Sequence, residues 1–165
     1  ATVMSNIGLE MALRAHGIGL VRAAVGDKYV MEEMVNRGAA LGGEQSGHII
    51  FTDHLPTGDG LATALNLLRI MAQSGRELAD LAGELVTYPQ VLVNVRVKQR
   101  ADYLQVPAIA EAIKRVEDGL AGHGRLLIRY SGTEPLLRIM LEGQNQAEIR
   151  GWAEEIAAVV KEQLA

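Results

Sequence analysis

Apolar positions along the chain follow two regimes. Up to about residue 85, short clusters at three- and four-residue spacing alternate with brief apolar runs. Ala1-Thr2-Val3-Met4 reads as the end of a strand already under way. Asn6 is placed to cap a helix through about His16, with Leu9, Ala12, Leu13 and His16 on one face and Gly17 past its end. Ile18 to Val25 reads as a strand. Asp27 then caps a second helix with Val30, Met31, Met34 and Val35 inward, closed by Gly38. Short strands are expected around 39–41 and 48–52, with Gly42-Gly43-Glu44-Gln45-Ser46-Gly47 between them. Asp59 caps a third helix to about Gln73, and a fourth covers about Arg76 to Leu85. Helices alternating with short strands predict an α/β layer arrangement.

The pattern changes near Thr87-Tyr88-Pro89. Val91-Leu92-Val93-Asn94-Val95-Arg96-Val97 alternates strictly, as a half-buried antiparallel strand should. A helix is expected over about 106–117, followed by strands at 125–130 and 136–142. A last helix, about 146–164, sets Ile149, Trp152, Ile156 and Val160 at helical spacing. This β-α-β-β-α order predicts a small α+β domain with an antiparallel sheet, divided from the first half at roughly residues 83–90.

Composition narrows the function classes. Of 165 residues, 48% are hydrophobic and none is Cys, which excludes a disulfide framework, a thiolate nucleophile and a Cys-based zinc site. The 4 His are too few for a rich metal cluster. No apolar run reaches the roughly 18–20 residues of a membrane helix, so a soluble, cytoplasmic protein is expected. With 4% aromatics and a net charge of −4, the basic face and stacking aromatics of a nucleic-acid binder are missing. Residues 1–88 hold 6 Lys and Arg against 10 Asp and Glu, whereas residues 89–165 hold 10 of each. In that more cationic half, Arg125, Arg129 and Arg138 are read as flanking one short turn.

That turn, Arg129-Tyr130-Ser131-Gly132-Thr133-Glu134-Pro135, is the strongest local signal. Arginine offers a planar fork of donors suited to phosphate, Ser131 and Thr133 add hydroxyls, and Gly132 lets neighbouring N–H groups face an anion. Arg138 could supply a second cation. The same residues also suit an ordinary hairpin turn. A second candidate is Gly42-Gly43-Glu44-Gln45-Ser46-Gly47-His48. Glu44, Ser46 and His48 together can accept from and donate to the vicinal hydroxyls of a sugar, with glycines allowing close approach; a flexible link with a solvated Glu44 fits the residues too. Lys28, in the first turn of a helix, opposes the macrodipole and could point to an anion or simply to water. There is no P-loop, no G-x-G-x-x-G and no G-x-S-x-G elbow, and Asp59 is better explained as a helix cap than as a metal ligand. By its chemistry alone the chain is a recognition module.

The two loops, some 80 residues apart, together resemble signature loops of the α-D-phosphohexomutase superfamily. The first is similar to the sugar-binding loop of its third domain and the second to the phosphate-binding loop of its fourth. Val25-Gly26-Asp27-Lys28-Tyr29-Val30, Thr57-Gly58-Asp59-Gly60 and 91–97 extend the resemblance over essentially the whole chain. It implies an incomplete three-layer α/β/α third domain over 1–85, lacking its opening strands, and a complete TBP-like α+β fourth domain over 89–165.

The superfamily interconverts 6-phospho and 1-phospho sugars through a bisphosphorylated intermediate. It uses a phosphoserine in its first domain and Mg²⁺ held by an aspartate loop in its second. Neither loop occurs in these residues, so the resemblance implies a piece inactive by itself that binds no metal and has domains 1 and 2 of the same enzyme as partners. The implied substrate is a phosphosugar, glucosamine phosphate in the branch these segments are most similar to. Phosphomannomutase/phosphoglucomutase and a free-standing, non-catalytic sugar-phosphate module are the alternatives. Carried over by position, Glu44, Ser46, His48 and Lys28 would serve the sugar, and Arg129, Ser131, Gly132, Thr133 and Arg138 the phosphate.

Overall fold

In a computed structural model describing all 165 residues, Asn6 opens the first element. Its side chain accepts from the Gly8 N–H, and helix α1 runs over Ile7–Ala15. His16, expected on the inner face, is instead the exposed C-cap. Helix α2, Asp27–Arg37, begins differently from expectation. Its N-cap is Gly26 at φ 127°, a conformation open to glycine, while Asp27 is the first helical residue and accepts from the Lys28 N–H. Val30 and Met34 are buried, Met31 is half-buried, and Val35 is 66% exposed rather than inward.

Strands β1 (Leu41–Gly43) and β2 (Ile49–Phe51) form an antiparallel hairpin with Gly42 opposite Ile50. Gly42 lies so close to Met34 and Val30 that a methyl group there would overlap the Met34 sulfur, which is how the hairpin packs on α2. Helix α3 spans Gly60–Ser74, with Asp59 accepting from the Ala62 N–H. The expected fourth helix shrinks to α4, Leu78–Ala82. The expected strand over 18–25 does not form. That segment makes one parallel bridge, Ala23 to Thr2, and a single bridge gives no ladder to hold Ile18, Val21 and Val25, which are exposed.

These elements make up one compact unit, Ala1–Thr87; a second covers Tyr88–Ala165. The second contains β3 (Gln90–Arg96), a 3₁₀ turn (Tyr103–Gln105), α5 (Pro107–Leu120), β4 (Arg125–Tyr130), β5 (Leu136–Glu142) and α6 (Gln146–Leu164). The sheet is antiparallel in the order β3-β5-β4. Alternation on β5 divides its two faces. Leu137, Ile139 and Leu141 join Ile109, Val116, Ile149, Ile156 and Val160 in the core under the two helices, while Arg138, Met140 and Glu142 point the other way. Arg125 is not at the turn with Arg129. It sits at the opposite end of β4, paired to fully buried Glu142 at 2.9 Å, and Gln90 donates to the other carboxylate oxygen at 2.9 Å.

Candidate functional site

The first loop is the β1–β2 connection. Its backbone closes on itself, with the Glu44 N–H donating to the His48 carbonyl and the Gly47 N–H to the Glu44 carbonyl, both at 3.0 Å. Glu44 is anchored on one side, where Oε2 accepts the Gly26 N–H at 3.2 Å, and its side chain is 13% exposed. Its Oε1 accepts from the Ser46 hydroxyl at 2.8 Å. Ser46 Oγ also lies 2.9 Å from His48 Nδ1. An ionised carboxylate only accepts, so the Ser46 proton goes to Glu44 and Nδ1–H of His48 donates to Ser46. This leaves His48 Nε2 as the ring atom with capacity for a ligand. Gly58 lies beneath the imidazole, and a methyl group there would stand 3.0 Å from His48 Cβ. The Thr57-Gly58-Asp59-Gly60 turn therefore supports His48, besides capping α3.

The Gly26–Glu44 bond brings the α2 N-terminus, and with it Lys28, to the same loop. The Lys28 ammonium lies 5.7 Å above the Tyr29 ring, a cation–π contact on an exposed side chain. Three of the four residues assigned to the sugar thus form one hydrogen-bonded row, and the fourth sits on the turn that anchors it.

The second loop joins β4 to β5. Arg129 and Arg138 are directly opposite one another in the ladder. Like charges so placed repel one another. Arg138 Nη2 reaches Glu134 Oε2 at 3.1 Å and Ser131 Oγ at 3.2 Å, while its Nε is buried with no hydrogen-bond partner. Ser131 is 2% exposed and works inside the turn, where Oγ also accepts the Glu134 N–H at 3.3 Å. Gly132 and Thr133 are exposed, and nothing lies within 4 Å of where a Gly132 side chain would begin. Gly132 is outside the left-handed region, so its value to the loop is open space rather than an unusual φ.

Sequence reasoning overlooked the segment behind this turn. Arg100 Nη2 donates to the Ser131 carbonyl at 2.6 Å and to the Gly132 carbonyl at 3.1 Å. Tyr130 donates its hydroxyl to the Ala101 carbonyl at 2.6 Å, and Tyr103 donates to the Ile128 carbonyl at 3.0 Å. Burial, with the Asp102 carboxylate nearby, pushes both phenols above the ordinary tyrosine range, so they stay protonated donors. The only sequence cue was a run of polar and aromatic residues between a strand and a helix. No group of three His, Asp or Glu residues converges in a way that could hold a metal ion. No helix is long and apolar enough to cross a membrane.

Known proteins with similar sequences and folds agree on the kind of molecule. The family profile described as "Phosphoglucomutase/phosphomannomutase, alpha/beta/alpha domain III" matches residues 1–88, and that of the C-terminal domain of the same family matches residues 92–159. The phosphoglucosamine mutase of Syntrophotalea carbinolica is 59% identical over 99% of the chain, and that of Geobacter metallireducens 56% identical over 99%. The chain spans 36% of the length of each of these relatives. Among solved structures, an N-acetylglucosamine-phosphate mutase in its product complex is similar over 97% of this chain and 38% of its own, with a TM-score of 0.72 at 18% identity. Aspergillus fumigatus N-acetylphosphoglucosamine mutase in complex with GlcNAc-6P and magnesium aligns over 97% of this chain and 40% of its own, with a TM-score of 0.71 at 16% identity.

Proposed function

Because the chain belongs to the phosphoglucomutase/phosphomannomutase family, we propose that it is the sugar-phosphate-recognition part of a phosphoglucosamine mutase. Such an enzyme interconverts glucosamine 6-phosphate and glucosamine 1-phosphate through a bisphosphorylated sugar. The reading gives Glu44, Ser46 and His48, with Lys28 beside them, to the sugar. It gives Arg129, Gly132 and Thr133, with Ser131 and Arg138 shaping the turn, to the phosphate that is not being transferred. Mg²⁺ and the transferred phosphoryl group belong to other domains of the same enzyme, where the ion would neutralise charge on the phosphate in transfer.

The observation that carries this reading is the pairing of two different chemistries on two loops. One is an acceptor-rich row, Glu44–Ser46–His48, with spare lone pairs on the Glu44 carboxylate and a free ring nitrogen, which suits neutral hydroxyl groups. The other places Arg129 opposite Arg138 beside a turn with exposed backbone donors, which suits a dianion. A substrate carrying vicinal hydroxyls and a phosphate has need of both. Sequence identity of 56–59% to phosphoglucosamine mutases favours the amino sugar over glucose or mannose.

An amide-resolved NMR titration of the 165-residue chain tests the reading. Glucosamine 6-phosphate should move the amides of 43–48 and of 129–133, and inorganic phosphate only those of 129–133. Arg129→Ala should weaken phosphate binding by about tenfold or more, as expected of a charge-assisted contact worth about 1.5–3 kcal/mol. Equal response of both loops to phosphate alone would refute the division of labour.

A further inference from the structure

We propose that Arg100 is a positioning residue that sets the direction of the phosphate loop's backbone donors. The inference rests on reading 129–135 as a phosphate-binding loop. A trans peptide holds its C=O and the following N–H on opposite sides. The chain has no cis peptide, so the Ser131 carbonyl fixes the Gly132 N–H and the Gly132 carbonyl fixes the Thr133 N–H. Arg100 Nη2 draws both carbonyls to itself, at 2.6 and 3.1 Å. The Gly132 and Thr133 N–H groups are thereby turned away from Arg100, toward the open side of the turn.

Two observations make this more than a clasp. The neighbouring donors of the loop are engaged, with Ser131 N–H on the Leu136 carbonyl and Glu134 N–H on Ser131 Oγ. The Gly132 and Thr133 N–H groups make no hydrogen bond within the protein, and both residues are exposed. The loop thus presents two successive backbone donors with open space before them, on the side away from a guanidinium. Arg100 also polarises the peptide units it binds, which strengthens their N–H groups as donors. Its own position is fixed, since the next residue's carbonyl accepts from Tyr130 and the Lys98 N–H donates to the Leu164 carbonyl. Arg100 itself touches no ligand in this scheme and acts through the peptide planes.

The test is a titration of the 165-residue chain with inorganic phosphate, following the Gly132 and Thr133 amides by NMR in wild type, Arg100→Ala and Arg100→Gln. In wild type both amide protons should move downfield and saturate. In Arg100→Ala the affinity should fall by about tenfold, in line with losing preorganised donors, and the two amides should no longer move together, while the melting temperature stays within a few degrees. Arg100→Gln keeps N–H donors for the carbonyls without the charge, and should fall between the two and retain the paired shift. Wild-type affinity and shifts in Arg100→Ala would overturn the inference alone. Equal losses in Ala and Gln with the paired shift retained would also overturn it, by showing that only charge counts. No response of wild-type Gly132 and Thr133 would remove the phosphate-loop reading itself.

Discussion

The two units stabilise their recognition loops by opposite means. In Tyr88–Ala165, a continuous core runs from Val91 through Ile139 and Leu141 to Ile156 and Val160, and the loop is the end of a hairpin whose central strand lies in that core. In Ala1–Thr87, the buried cluster is only Ala23, Val30, Met34 and Ile50, and α3 leaves Leu61, Leu65 and Leu68 at 71, 59 and 58% exposure. There the loop is held by its own side chains, Glu44 to Gly26 and Ser46 to Glu44. A turn on a packed sheet inherits the sheet's rigidity. A turn on a three-residue hairpin has to be built from local hydrogen bonds. Under the proposed division of labour, a phosphate would meet the rigid turn and sugar hydroxyls the row of local acceptors.

The sharpest way to break the comparison is inside the second unit, at its buried ion pair. Arg125→Ala leaves Glu142, which is 0% exposed, with only part of its compensation. Removing one partner of a buried pair costs about 3–5 kcal/mol, a large share of the stability of a unit this size. Trp152, the single tryptophan, lies on α6, so its fluorescence in a urea titration reports the second unit alone. The midpoint of that transition should drop steeply. Replacing the pair together, Arg125→Met with Glu142→Met, should recover most of the loss, because the desolvation of both charges is then avoided. A small effect of the single substitution would mean that the sheet's second face contributes little beside its core.

The same asymmetry decides what was legible from sequence. In the second half, strong alternation and helical spacing gave strands at 125–130 and 136–142 and a helix at 146–164, and these are the observed bounds. Each of those patterns is satisfied by partners within the unit. In the first half, 18–25 has the composition of a strand but only one bridging neighbour, and a strand exists only as part of a ladder. The fourth helix shortened to Leu78–Ala82, where Gly83 follows at once. Within the site, Glu44, Ser46 and His48 could be grouped from sequence because they are two residues apart. Arg125 was misplaced because a cation near a turn in sequence can lie a whole strand away from it in space. Arg100 could not be found at all, since its contact with Ser131 crosses 31 residues.

A milder intervention separates packing from local hydrogen bonding in the first unit. Helix α3 buries only Asn66 fully, so it relies on its cap and on intrinsic propensity more than the other long helices do. Asp59→Ala removes the acceptor of the Ala62 N–H and should cost about 1 kcal/mol. Amide exchange along α3 should quicken by about fivefold, the equivalent of that free energy. Because Gly58 lies under His48, the His48 resonances should shift as well, while the amides of 125–142 stay where they are. Unchanged exchange in α3 would show that its packing, sparse as it is, carries the helix.

An effect of similar size per hydrogen bond concerns the two phenols that fasten the 100–103 segment to β4. Tyr130 donates to Ala101 and Tyr103 to Ile128, and both groups have a pKa above the ordinary value in the folded chain. A pKa raised by folding means that the neutral phenol is favoured in the folded state. The stabilisation is therefore complete below the unfolded tyrosine pKa of about 10. It disappears as pH rises through the higher folded value. Ionisation followed by absorbance near 295 nm should show two tyrosines titrating late, and Tyr103→Phe with Tyr130→Phe should remove that late component. The double variant should lose about 1 kcal/mol per hydrogen bond at neutral pH, and its stability should then be less sensitive to pH above about 10 than that of wild type. A late component that survives both substitutions would uncouple the strap behind the second loop from the state of these phenols.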